Sequence, residues 1–351
     1  MPDLRLNYSS EEIERRFFKY ANREAARTIL ESGTLRWSTP GTLNDPYDMQ
    51  FNLHVEVDRD EVKRLALEKL WEAHYGLEEP SVGNVMGLLI RAFRGSFPRF
   101  TREEFEQEYG EAIEEGLNRF ERALPRFHDE IHTEISRSKI LCLSEIADSS
   151  PMWAYYAENH QGVVLKFRSI AEFDSPWVTA RRIEYHDDMP RLLDADFLAD
   201  LAAGRIALDA RTILDRLIYT KSSAWAHERE WRIYTGDGRA REAAFEDVPF
   251  HPIELEAVIF GCRMPVEEKG AFSDLIAERY PHAQLLQAQR DEKNFRLNIA
   301  PAVGRMISAL SRPHCAIRIH RIGGPPNLDI MGQPSVFSNA LMRSSRFCAV
   351  M

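Results

Sequence analysis

Residues 221–234, KSSAWAHEREWRIY, constrain the fold more than any other stretch of the chain. The last seven read as a strand, because Trp, Ile and Tyr favour a pleated, half-buried surface. Alternation then puts Glu228, Glu230, Arg232 and Tyr234 on one face and Arg229, Trp231 and Ile233 on the other. The apolar face belongs against a core. The ionic face, two carboxylates and a guanidinium in succession, is either a solvated surface carrying an ion pair or the wall of a cleft. Burying such a face without pairing it would be costly.

The chain upstream supplies neighbours for this strand. FFKY at 17–20 predicts a first strand, and Asn22 caps a helix whose apolar positions Ala25, Ala26, Ile29 and Leu30 recur at helical spacing and whose end is Gly33. Leu35, Trp37 and Thr39 alternate with polar residues as a second strand, stopped by Pro40. GTLNDPYD at 41–48 follows. There Asn44, Asp45 and Asp48 crowd a Pro turn, either as turn formers or as groups facing a ligand.

Residues 58–138 predict a large helical insertion, broken at Pro80 and Pro98, with Thr101 and Glu104 as the capping box of a helix running towards Pro125. Further strands are expected at 140–144, 162–167, 182–185, 257–261 and 294–299, and helices at 152–160, 190–219 and 265–279. On the helix at 152–160, Trp153, Tyr156, Ala157 and His160 share a face. His160 then ends that helix, where the dipole favours its protonated form. The element pattern is α+β rather than doubly wound.

Composition narrows the function. A net charge of −10 over 351 residues argues against a general nucleic-acid or anionic-membrane coat, while leaving a local groove open. No apolar run is long enough to cross a bilayer and no signal peptide opens the chain, so a cytoplasmic protein without a membrane partner is expected. The four cysteines show no CxxC pairing, and His128 with His132 lacks a third ligand, so no metal site is expected. Phosphate-binding glycine motifs are missing too. Residues 304–351 hold six arginines against one acid, Asp329, with no folding period. They read as a disordered or non-native tail behind a single domain over 1–303.

FFKYAN, LRWSTPGTLNDPYD, ILCLSE, MWAYYAENHQGVVLKF and KSSAWAHEREWR, in this order over about residues 15–300, resemble the bacterial family called domain of unknown function 2971. That family name implies a fold-sized unit without an activity. The opening strand, Asn-capped helix, Gly33 and second strand also look like the first unit of ADP-ribosyltransferases, including bacterial toxins that act on DNA. This second resemblance implies a split antiparallel or mixed sheet that grips NAD between an early strand and a later one bearing a catalytic glutamate. Lys19 and Tyr20 would sit where such enzymes place a His or Arg, and Ser38 and Asn44 near the nicotinamide ribose. Glu230 would take the glutamate's place, and the Glu228–Arg229–Glu230 triplet is similar to the ExE of one branch.

Cleaving the nicotinamide bond creates an oxocarbenium-like ribose, which a carboxylate can stabilise. On this reading Glu230 engages the ribose and Glu228 deprotonates an acceptor. Arg232 holds pyrophosphate, Asp45 and His160 contact ligand, and Trp153 or Tyr20 stacks on a ring. NAD is the substrate; the acceptor is nucleic acid or protein, in a toxin or defence setting. Two alternatives remain open at the level of sequence: a nuclease gathering Asp45, Asp48, Glu228 and Glu230 around Mg²⁺ beside Lys221, and a non-catalytic nucleotide-binding sensor.

Overall fold

The computed structural model describes residues 15–49, 57–76, 79–96, 99–170, 173, 175–189, 192–208 and 210–302. The 304–351 tail and Pro98 lie outside them. The chain opens with strand β1 (Arg16–Ala21), helix α1 (Arg23–Ser32) and strand β2 (Thr34–Ser38). Asn22 caps α1 by accepting the Ala25 N–H at 2.7 Å, and Gly33 closes it in the left-handed conformation at φ 67°. Both residues act locally, which is why the sequence announces them. Asn22→Ala should cost about 1 kcal/mol, read as a lowered urea midpoint at unchanged slope.

The helical insertion is α2 (Arg59–Tyr75), α3 (Val85–Phe93) and α4 (Arg102–Arg137). Thr101 and Glu104 form the expected capping box of α4. That helix does not stop near Pro125 but continues through it to Arg137. Its buried residues Phe120, Phe127, Ile131 and Ile135 lie on both sides of the proline, so tertiary packing outweighs the lost backbone bond.

The remaining elements are β3 (Ile140–Ser144), α5 (Ser150–Tyr156), β4 (Val163–Arg168), β5 (Arg181–Arg182), β6 (Glu184–His186), α6 (Ala195–Ala202), α7 (Ala210–Ile218), β7 (Thr220–Ser222), β8 (Glu230–Tyr234), β9 (Phe245–Pro249), β10 (Leu255–Phe260), α8 (Val266–Arg279), β11 (Gln284–Arg290) and β12 (Leu297–Pro301). Ten strands form one open sheet in the order β12-β11-β10-β4-β1-β3-β2-β9, with β8 on β3 and β5 on β8. The β10–β11 pair is parallel and its neighbours are antiparallel, so the sheet is mixed and the class is α+β.

The sheet's two faces bury different partners. Phe17, Leu165 and Phe167 pack with Leu30 of α1 and Phe272 of α8, whereas Tyr20, Val164 and Ile259 pack with Trp153 and Ala157 at α5. In β8, Trp231 and Ile233 join the first cluster, so Glu230 and Arg232 face the opposite side, as alternation requires.

One irregularity positions the site. β3 pairs with β8 along its whole length, yet meets β1 only at Phe18–Ser144 and β2 only at Ser38–Ile140. β1 and β2 diverge from that shared edge. Lys19 on β1 reaches across and donates to the Cys142 carbonyl at 3.0 Å.

Candidate functional site

A cleft of about 270 Å³ opens where β1 leaves β3. Phe18, Lys19 and Tyr20 form one wall, Thr42, Leu43, Asn44, Asp45 and Asp48 another, and Cys142–Ser144, Met152, Tyr156, Lys221, Trp225, Glu228 and Glu230 complete it. Four of these lining residues, Asp48, Lys221, Glu228 and Glu230, join Arg232 behind them in a network of five ionisable side chains. Arg232, with no exposed surface, donates to Asp48 through both terminal nitrogens at 2.8 and 2.5 Å. The same guanidinium engages Glu230 at 2.7 and 3.0 Å and the Ile218 carbonyl at 2.8 Å. Lys221 bridges Glu228 at 2.6 Å and Glu230 at 2.9 Å, and lies 3.6 Å from Asp48.

Three carboxylates thus face two cations, leaving one negative charge when all are ionised. Burial alone would protonate Glu230, but Arg232 and Lys221 outweigh it and hold that carboxyl well below the usual range. Glu228 shifts the other way. Burial raises its pKa, with the neighbouring Glu230 charge adding, and neither Lys221 nor the Tyr156 hydroxyl at 2.6 Å reverses this. Lys221 is kept cationic because Glu230, Glu228 and Asp48 outweigh its own burial. Burial also pushes the Cys142 thiol, beside Glu230, far above its ordinary value. A proton on Glu228 makes the network neutral, and Glu228 holds only one of the two cations.

The local chain explains how two carboxylates two residues apart converge. β8 does not begin at residue 228: pairing with β3 starts at Glu230, opposite Ser144. Glu228 instead ends a 3₁₀ helix, Ser223–Glu228, whose start Ser222 caps at the Ala224 N–H. Arg229 then turns the chain in the left-handed region at φ 44°. The Ser144 hydroxyl holds the Glu228 carbonyl at 2.7 Å, and the Tyr185 hydroxyl accepts the Glu230 N–H at 2.8 Å. The kink replaces the strand alternation expected at Glu228 and still delivers its carboxylate to Lys221.

Residues 152–233 match the model of a family described as "Protein of unknown function (DUF2971)". The chain carries a DUF2971 segment. No curated protein and no solved structure matches the chain. The DUF2971 segment supplies Tyr156, Lys221, Glu228, Glu230 and Arg232; the cleft's other walls come from β1, β3 and the loop at 42–48.

Of the residues singled out by sequence, Lys19, Tyr20, Asn44, Asp45, Glu228 and Glu230 line the cleft. Tyr20 commits its hydroxyl to the Ile146 carbonyl at 3.1 Å, and Asp45 accepts the Tyr47 N–H at 2.9 Å, so each also has a local task. Arg232 is behind the wall, not on it. Ser38 ends β2 between Ile140 and Phe245, away from the lining. Trp153 is a core residue whose indole donates to the Ala147 carbonyl at 2.7 Å.

His160 is displaced as well. The helix expected over 152–160 ends at Tyr156, and Glu158, Asn159 and His160 all take positive φ. The imidazole stacks on Trp153 at 6.4 Å, and burial, aided by Arg263, lowers its pKa instead of favouring the cation.

Asp48, Lys221 and Tyr156 join the centre although sequence reading gave them no lead role. Their signal was weak: a Lys seven residues before Glu228 and an Asp closing a turn look ordinary until the fold brings them together. Among the described residues no group of three or more His, Cys, Asp or Glu side chains is arranged to hold a metal ion. The acids expected around Mg²⁺ are instead drawn to Arg232 and Lys221, apart from Asp45 in its turn. His128 and His132 stack at 6.3 Å on α4. No helix of the described residues is long and apolar enough to cross a membrane.

Proposed function

We propose that the cleft binds NAD and breaks the bond between nicotinamide and ribose, passing ADP-ribose to water or to a macromolecular acceptor, nucleic acid or protein. The observation that carries this reading is that two adjacent carboxyls on the cleft wall are held unlike each other: Glu230 meets both Arg232 and Lys221, which keep it ionised, whereas Glu228 meets Lys221 and the Tyr156 hydroxyl, and burial makes it harder to ionise. Neighbouring carboxyls pushed apart in this way divide the work of a glycosidic cleavage. Glu230 is a fixed negative charge for the oxocarbenium-like ribose. Glu228 exchanges a proton. The acceptor's oxygen bonds to the anomeric carbon, the carbon–nitrogen bond breaks, and nicotinamide leaves neutral with the bonding pair. The acceptor's proton passes to Glu228. Asn44 and Lys19 stand on the cleft walls as donors to the substrate.

Incubation of the purified chain with NAD in the presence of a chelator should release nicotinamide. A rate equal to that of buffer, across acceptors including DNA, RNA and protein, overturns the reading. Because Glu228 acts as a base, the acid limb of the pH–rate profile should lie above 4.5, the ordinary glutamate value.

Stability carries the same sign. A carboxyl whose pKa is higher folded than unfolded binds its proton more tightly in the native state. The contribution of Glu228 is therefore largest below pH 4.5 and declines as pH rises through its raised folded value. Glu228→Gln should remove that decline, seen as a flatter dependence of melting midpoint on pH above 4.5.

A further inference from the structure

The cleft is small for the substrate assigned to it. At about 270 Å³ it lies at the lower limit of pockets that enclose a drug-sized ligand, roughly 300–1,000 Å³. A dinucleotide is larger than that, so if nicotinamide and its ribose occupy the cleft, the adenosine half extends past the mouth.

Three rings follow one another from the cleft wall. Trp225 lines the cleft and is pinned by the Lys221 ammonium, 5.2 Å from its ring centroid. His227 follows at 5.9 Å, and Tyr155, on α5, lies 6.2 Å beyond it. Tyr155 is 70% exposed, and among the described residues its ring contact is this outward-leading row. Trp225 and His227 are half-buried and Tyr155 is exposed, so the row runs from the cleft wall to a ring that a ligand leaving the cleft can cover. The His227 ring is fixed through Nδ1 to the Ala224 carbonyl at 3.2 Å, within the same 3₁₀ helix that presents Glu228. Trp225, His227 and Glu228 therefore share one element, and Tyr155 meets them from α5.

We propose that Trp225, His227 and Tyr155 form a stacking site for the adenine base of the dinucleotide. The inference rests on the NAD reading and adds a second subsite to it. Stacking of one base on an aromatic side chain is a modest, sequence-tolerant contribution, so losing the outer ring should weaken adenine binding about 10-fold.

Tyr155→Ala is the cleanest probe, because the side chain is exposed and outside the cleft lining. It should raise KM for NAD about 10-fold at unchanged kcat, while KM for nicotinamide mononucleotide, which lacks adenosine, stays within about 2-fold. AMP, titrated calorimetrically, should bind the wild-type chain and bind Tyr155→Ala about 10-fold more weakly. NAD cleavage with no change in either reading for the variant overturns the stacking site, as does an equal KM change for both substrates. AMP binding that depends on Tyr155 in a chain that never cleaves NAD supports the subsite and sinks the reaction. Failure of both sinks both.

Discussion

Glu228→Gln is expected to lower NAD turnover about 10²- to 10⁴-fold, the usual effect of removing one general base, while the fold survives. The amide keeps the side chain's shape and can still hydrogen-bond with the Tyr156 hydroxyl, 2.6 Å from the native carboxylate. It also leaves Lys221 with Glu230 and Asp48, so the network has two acids for two cations. Melting within a few degrees of wild type, with turnover collapsed, is the expected pair of results. Full turnover in the variant would assign Glu228 to charge balance alone. Glu230→Gln makes the informative comparison: it removes the carboxylate that meets both cations, so stability and turnover should fall together.

Arg232→Met should cost about 3–5 kcal/mol of stability, because it strands Asp48 and Glu230 in a buried site with only Lys221 to share. The thioether fills much of the volume, so loss of charge, not of packing, dominates. Adding Asp48→Asn should restore part of the loss, and the double-mutant cycle isolates the pair's coupling. A cost below about 1 kcal/mol in the single variant would mean that water reaches the two carboxylates.

What could be read in advance follows how far each signal reaches along the chain. Asn22, Gly33, Thr101 and Glu104 act within a few residues of themselves, and the structure uses all four as expected. β9 and β11 escaped notice because their side chains are largely exposed or half-buried, without the apolar alternation that marks a strand. The helix after Ser149 ends four residues before the apolar spacing predicts: nothing in ENH forbids a helix, and the left-handed turn at Glu158–His160 is held from outside. Arg23, on α1, binds the Glu158 carboxylate at 2.9 and 2.5 Å, and the His160 N–H bonds back to the Trp153 carbonyl at 3.1 Å. The ionic character of the Glu230–Arg232 face was legible from alternation. Its closure by Asp48 was not, since no local pattern encodes a partner far away in the chain, and Lys221, seven residues before Glu228, meets it only once the 3₁₀ helix and the turn at Arg229 are in place.

That distance between Asp48 and Arg232, 184 residues, has a kinetic consequence. Closing so long a loop forfeits chain entropy before any ion pair rewards it, so such contacts form late in folding. Interactions absent from the folding transition state govern the rate of unfolding, and disruption of the pair should speed escape from the native state more than it slows arrival. The Asp48 carboxylate would then meet Arg232 only after the sheet and helical block are in place. A partly folded chain carries the sequence of the cleft without its charges in register.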